Sequence, residues 1–282
     1  MLDEKRLKKV KIVIFDLDGT LLSDDGQISM KTRVLIKSLM THGVKFSIAS
    51  GRLHSAIVEI ASGLGIQTPI ISLDGSIIKN YPDGNIIYEF FLKKKYVRRC
   101  LQYAEKFSLN IALCHADAIY YTEPNSLIPQ IMDKFGAKYE RVDSYDDYIK
   151  GTLEVVFASD NKKHMKYVWE RMSFPYSFGL NSSYFKSHRH ENVYYVEVRM
   201  KNTSKGKGMQ KLLKHLKIKE KEKVVIGDWY NDVSLFKTEA VKIALSNAVS
   251  DIKELADYVT ENDNNNNGVS EFLEILLKSK EN

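Results

Sequence analysis

Cysteine is almost missing from this 282-residue chain: Cys100 and Cys114 are the two that occur, each in apolar sequence. That excludes a disulfide framework or a thiolate zinc site, and the two thiols read as small hydrophobes in a reducing compartment. Long hydrophobic runs are missing too. Stretches such as Ile12–Phe15 fall far short of the roughly 18 to 20 residues a membrane-spanning helix needs, so no membrane partner is expected. The opening MLDEKRLKKVK lacks the apolar core of a secretory signal, and a cytoplasmic location follows as the expectation. No strong excess of one charge exists either. Lys and Arg number 42 against 36 Asp and Glu, a formal +6, with 44% hydrophobic and 28% charged residues. This is ordinary globular composition and excludes wholesale disorder. The basic residues also lack clustering: Lys5–Lys11, Lys93–Arg99 and Lys214–Lys223 lie far apart, and Glu220 and Glu222 interrupt the last run. A basic face for phosphate backbones is therefore not expected, and nucleic acid is not a predicted partner.

What is present is a pattern of short apolar runs alternating with helical spacing. The run Lys11–Phe15 turns polar and glycine-bearing at Asp16, as a buried strand ending at a functional loop does. Residues 29–42 carry Met30, Val34, Ile36, Leu39 and Met40 at helical spacing, with His42-Gly43 as the stop. Val44–Ala49 reads as a second strand, Ser55–Leu64 as a helix, and Thr68–Leu73 as a third strand. Such alternation with short loops predicts a parallel sheet covered on both faces. The character changes at the turn Tyr81-Pro82-Asp83-Gly84, followed by a hairpin partner over Ile86–Leu92. From there to about Met200 the chain is rich in aromatics, with helices expected near 94–107, 125–135 and 161–172. After it the alternating pattern resumes, with a helix over Gly206–Leu216, strands at Val224–Gly227 and Val241–Leu245, and a helix starting at Val233. About two domains suit the length. The predicted architecture is α/β: a Rossmann-like, doubly wound parallel-sheet core from residues 1–84 and 200–282, with an α+β unit inserted at 85–199. The run Asn264–Asn267 reads as a solvent loop.

Chemistry in open α/β sheets gathers at the carboxyl ends of the strands. Asp16-Leu17-Asp18-Gly19-Thr20 offers one carboxylate as nucleophile and a second as acid or base. A turn after a strand also favours Asp and Gly, so alone the motif leaves both readings open. Ser50-Gly51-Arg52 suits an anion at a helix start, although taken alone the motif reads better as a plain helix cap with glycine. Asp228 and Asp232 follow another buried strand. Four acids on one sheet edge would repel strongly, and a hard, oxygen-ligated dication such as Mg²⁺ resolves the conflict, with no His or Cys cluster competing for a softer metal. The loop His188-Arg189-His190 reads as surface.

FDLDGTLL at 15–22, IASGR at 48–52, SKGKGMQKL at 204–212 and IGDWYNDVSLF at 226–236 occur in an order that resembles the haloacid dehalogenase superfamily of phosphohydrolases, in its Cof-type subfamily with a large inserted cap. ALSNAVSDIKELADYVT at 244–260 resembles that family's C-terminal stretch. The resemblance implies a Mg²⁺-dependent phosphatase acting on small phosphorylated metabolites such as sugar phosphates, nucleotides or cofactor phosphates. It implies Asp16 as nucleophile, Asp18 as general acid and base, Ser50 as phosphate hydrogen-bond donor and Lys205 as the phosphate-neutralising cation. The metal would lie among Asp16, Asp18 (through its carbonyl), Asp228 and Asp232. Gly19, Gly51, Arg52, Asp74, Gly75 and Asn231 would add contacts to phosphate or substrate. A phosphotransferase or phosphomutase passing the same aspartyl-phosphate to a sugar hydroxyl is the alternative, as is a silent phospholigand-binding module. A monomer or weak homodimer is expected.

Two positions depart from that pattern. Asp74 stands where similar proteins carry Asn, and an ionised carboxylate cannot donate a hydrogen bond. Trp229-Tyr230 follows Asp228, either shaping the entrance or packing in the core. In the insert, His115, Tyr121, Asn181, His188 and Arg189 are candidate substrate contacts.

Overall fold

The structure, a computed structural model, describes residues 2–123, 137–187 and 192–281. By contacts the chain divides into two compact units: Met1–Gly51 with Val58–Tyr88 and Ser204–Asn282, and Arg52–Ile57 with Glu89–Thr203. The division falls a few residues beyond the expected 84/85 and 199/200, because the hairpin strand Ile86–Glu89 follows its partner Ile77–Lys79 in a three-stranded sheet with Ile70–Ser72. Within the described residues no helix is long and apolar enough to cross a membrane.

The first unit is built on five parallel strands in the spatial order Tyr258–Val259, Val241–Ala244, Lys223–Gly227, Ile12–Phe15, Lys45–Ile48. All four residues of Ile12–Phe15 are buried, as a central strand covered on both faces requires. Alternation sends Ile12 and Ile14 into a cluster with Met209, Leu212, Leu213, Leu235 and Phe236. Val13 and Phe15 turn the other way, where Phe15 stacks on Phe46 with ring centroids 5.7 Å apart. Each such side chain contributes roughly 1.5 to 3 kcal/mol on burial. The strand is flanked by its successor in sequence on one side and by a late strand on the other. That reversal of strand order opens a crevice at the carboxyl ends.

The third strand departs from the expected plain parallel sheet. Ile70–Ser72 touches the second strand through the single bridge Ala49–Ile71 and then pairs antiparallel with Ile77–Lys79. The reason is the tight turn between them, where Leu73, Asp74 and Gly75 all have positive φ. Helices form where caps and spacing permit. Met30–Thr41 starts behind Ser29, whose hydroxyl accepts from Thr32 N, and Lys205–Leu216 starts behind Ser204 and stops at the left-handed Lys217.

The second unit is a six-stranded sheet in the order Leu180–Lys186, Tyr194–Met200, Glu154–Ser159, Asn110–Cys114, Ile119–Tyr121, Tyr139–Arg141. Its pairing is antiparallel except between the last two strands. Alternate residues Ile111, Leu113, Val155, Phe157, Val196 and Val198 share one core with Val97 and Cys100 of helix Lys94–Phe107 and with Met165 and Val168 of helix Lys162–Arg171. Both helices therefore cover the same sheet face. Cys100 and Cys114 are buried free thiols, and burial raises both pKa values. The helix expected near 125–135 lies outside the described residues.

Candidate active site

Asp16 emerges from the buried strand Ile12–Phe15 and Asp228 from Lys223–Gly227, adjacent strands in register. Their side chains therefore meet at the crevice. With Asp232 they form a buried group in which one carboxylate oxygen from each of the three lies within 4.8 Å of the other two. Lys205, first residue of its helix and fully buried, reaches this group. Its Nζ donates to Asp16 Oδ1 at 2.5 Å and to Asp232 Oδ1 at 2.7 Å.

Asp232 holds this arrangement together. Its Oδ2 accepts from the backbone N–H of Asp228 at 3.1 Å and of Trp229 at 3.2 Å, while Oδ1 takes the lysine. Asp228 Oδ1 accepts from the Thr20 hydroxyl at 2.5 Å. Gly19, at φ +78°, has no room for a side chain: a Cβ there would lie 2.5 Å from Asp228 Oδ2. Only glycine lets the acid loop turn this close to that carboxylate.

The electrostatics follow from burial. Desolvation, then the Asp232 charge, push the Asp16 carboxyl well above its ordinary value, and Lys205 pulls it only part of the way back. Burial pushes Asp228 up to about 6 although Thr20 favours its ionised form. For Lys205 burial works against the charge, but Asp16, Asp232 and Asp74 more than offset it and raise its pKa. One ammonium among these buried acids leaves an excess of negative charge. The donor set is all oxygen, without His or Cys, so the cluster can hold a hard divalent cation.

Several of the residues expected to contact phosphate are linked to one another near this cluster, where the Asp74 charge acts on Lys205. Ser50 is buried, its N–H bonded to Ile71 O and its carbonyl accepting from Asp74 N. Asp74 is left-handed at φ 46° and ψ 40°, and its Oδ1 accepts from Asn231 Nδ2 at 3.2 Å. A Cβ at Gly51 would touch that same Oδ1. Gly75 presses on the start of the Lys205 helix, where a Cβ would lie 2.3 Å from Ser204 O. Asp18 is solvent-exposed and its side chain stands outside the three-acid group. Arg52 groups with the second unit rather than with the acids.

A family model for haloacid dehalogenase-like hydrolases matches residues 13–273. The chain belongs to that family. It is similar to the phosphatase YwpJ of Bacillus subtilis, 27% identical with 95% of this chain and all of that protein covered. Phosphoglycolate phosphatase 1 of Saccharolobus solfataricus is 26% identical, with 96% of this chain and 97% of that protein covered. The crystal structure of a haloacid dehalogenase-like hydrolase from Bacteroides thetaiotaomicron superposes with a TM-score of 0.84 at 25% identity, covering 95% of this chain and 99% of that one. The four motifs thus identify the family and the α/β fold correctly, and this haloacid dehalogenase-like hydrolase is an enzyme.

Trp229 and Tyr230 are 49% and 56% exposed, so they do not pack in the core. Of the candidates in the second unit, His115 is engaged: its Nε2 donates to Tyr148 O at 2.8 Å and burial lowers its pKa. Tyr121 is buried against Tyr139, and Asn181 is exposed on the edge strand. His188 and Arg189 lie outside the described residues. Thr20 and Asn247 carried no predicted role, although both sit inside quoted motifs. Thr20 follows the Asp-Gly pair, where a hydroxyl beside two acids was the available signal.

Proposed function

We propose that this chain is a Mg²⁺-dependent phosphatase that cleaves small phosphorylated metabolites through an aspartyl-phosphate on Asp16. The observation that carries the reading is the buried constellation of Asp16, Asp228 and Asp232 with Lys205 Nζ at 2.5 Å from the first and 2.7 Å from the last. Names of relatives, two of them given above as phosphatases, support the reaction class.

Asp16 attacks phosphorus in line; its oxygen forms the new P–O bond as the bond to the leaving alcohol breaks. Asp18, exposed on the loop beyond the strand, gives its proton to the departing alkoxide. It then takes a proton from water, which attacks phosphorus, breaks the bond to Asp16 and releases inorganic phosphate, each proton transfer being worth roughly 10² to 10⁴ in rate. Lys205 neutralises the attacking carboxylate's surroundings and the equatorial phosphoryl oxygens, with Ser50 as a further donor. Asp16, Asp228 and the Asp18 carbonyl would hold the metal, with Asp232 steadying both Asp228 and Lys205. Mg²⁺ there supplies positive charge that offsets repulsion between nucleophile and phosphate. The second unit is the part that selects the alcohol portion of the substrate, and the positive exterior suits anionic esters.

The test is hydrolysis of p-nitrophenyl phosphate with and without Mg²⁺, together with trapping of phosphoenzyme by acid quench. Both turnover and phosphoenzyme should vanish in Asp16→Asn. Normal turnover in that variant would remove the nucleophile from this reading. Products analysed with a sugar acceptor present should contain inorganic phosphate rather than a new phosphoester.

A further inference from the structure

Asn247 has no part in the chemistry above, yet its exposed side chain reaches the loop that carries Asp18. Asn247 Nδ2 donates to Gly19 O at 2.8 Å. The N–H of that same peptide unit, on Thr20, donates to Leu17 O at 3.3 Å, so the Gly19–Thr20 plane, one peptide beyond Asp18, is held from both sides. Leu22 N also donates to Leu17 O, at 2.9 Å, folding the loop back on itself.

Asn247 is in turn oriented. Its Oδ1 accepts from Asn264 N at 3.2 Å, and an amide whose oxygen is engaged in this way must present its NH₂ to the remaining partner. Asn264 grips the far side of the loop as well, with Nδ2 donating to Leu22 O and to Asp24 Oδ1, both at 3.1 Å. Asn265 adds Nδ2 to Asp24 Oδ2 at 3.1 Å and accepts from Asp24 N at 2.9 Å. The segment bearing Asn247 is also tied to the acid cluster, since Val249 N donates to Asp228 O at 3.0 Å. Asn265, Asn266 and Asn267 are exposed, as expected of a solvent loop, but Asn264 is half-buried and, with Asn265, bonded to the loop after Asp18.

We propose that Asn247, oriented by Asn264, is a positioning residue for Asp18: it fixes the Gly19 peptide and so keeps the exposed carboxyl within reach of the leaving oxygen and then of water. The proposal rests on the reading of Asp18 as acid and base. A proton donor works only within about 2.6 to 3.2 Å of its target, and misplacement by an ångström costs rate steeply. An exposed loop with a left-handed glycine at its bend would otherwise wander.

Leaving-group dependence tests it. An alkyl phosphate needs an acid to leave, whereas p-nitrophenolate departs unaided. Asp18→Asn, Asn247→Ala, Asn247→Asp and Asn264→Ala are compared at saturating Mg²⁺ by single-turnover phosphorylation, with glycerol phosphate and with p-nitrophenyl phosphate. The Asn247 variants should lose roughly ten-fold with glycerol phosphate, the size a single hydrogen bond can reach, and much less with p-nitrophenyl phosphate, with KM nearly unchanged. Adding Asn264→Ala to Asn247→Ala should cost little more, because the two act on one loop. Equal losses with both substrates, or a lowered melting temperature with no selective loss, would overturn the positioning role while Asp18→Asn still shows the selectivity. If Asp18→Asn itself shows none, the acid assignment falls first and this role falls with it. Asn247→Asp keeps the shape without the donor, so an Asn247→Ala variant that folds poorly leaves the comparison intact.

Discussion

Lys205 Nζ lies 2.7 Å from Asp232 Oδ1, and neither side chain exposes any surface to solvent. The same ammonium contacts Asp16 at 2.5 Å. Removing one partner of a buried pair leaves the other charge uncompensated, which costs about 3 to 5 kcal/mol. Lys205→Met should therefore lower stability by that order and abolish turnover. Lys205→Met with Asp232→Asn should recover much of the stability and none of the activity. Urea denaturation beside phosphatase assays checks both, and a double variant no more stable than Lys205→Met alone would show that the pair is not the cause.

Asp228 makes stability depend on pH. Its carboxyl is pushed up to about 6 by burial, against an ordinary 3.8. The folded chain then holds a proton that the unfolded chain releases, so stability falls as pH rises between these two values and stays low above them. The gap corresponds to roughly 3 kcal/mol. Without metal, Asp228→Asn should match the parent near pH 4 and exceed it at pH 7.5; adding Mg²⁺ should reverse the order at the higher pH by binding the parent alone. Thermal denaturation in chelator and in Mg²⁺ at both pH values is the measurement. Equal stability of the two chains at pH 7.5 in chelator would contradict the burial argument.

Gly75 and Gly26 share a left-handed backbone, at φ +88° and +78°, but not their surroundings. A Cβ on Gly75 would lie 2.3 Å from Ser204 O, the cap of the helix that begins with Lys205, whereas nothing lies within 4 Å of one on Gly26. Gly26→Ala should cost only the strain of that backbone, on the order of 1 kcal/mol, and leave kcat alone. Gly75→Ala should add displacement of the helix start and so lower kcat together with stability. A kcat unchanged in Gly75→Ala would detach the helix start from catalysis.

Asp16 and Asp228 were legible because strands ending in carboxylates leave a local pattern: a buried apolar run, then Asp, then a turn residue. Lys205, at a helix start behind Ser204, leaves no such pattern, and only the family-like order of the four motifs pointed to it. Asn247 was not legible, since an amide bonding a backbone carbonyl 228 residues away follows no periodicity. The third strand's departure into a second small sheet escaped for a related reason. Ile70–Ser72 is as apolar as the strands beside it, and only the left-handed turn at Leu73–Gly75 turns the chain back. Trp229 and Tyr230 were ambiguous because large aromatics suit a core and an entrance equally; their exposure decides the matter.

Asp74 is a further acid beside the proposed phosphate site, and its charge is among those that raise the Lys205 pKa. Its left-handed backbone is one that Asn adopts as readily as Asp, so Asp74→Asn should leave the turn intact and change stability little. It removes a negative charge that an incoming phosphate must approach. At the effective dielectric of a protein site a unit charge several ångströms away is worth enough to change anion affinity by on the order of ten-fold. Asp74→Asn should accordingly bind inorganic phosphate more tightly as a competitive inhibitor and lower KM for phosphoesters, with both effects shrinking as salt rises. Inhibition constants for phosphate across a salt series measure this directly. The same constants in both proteins at low salt would mean that the Asp74 charge is already cancelled, by Asn231 Nδ2 and the lysine, before substrate arrives.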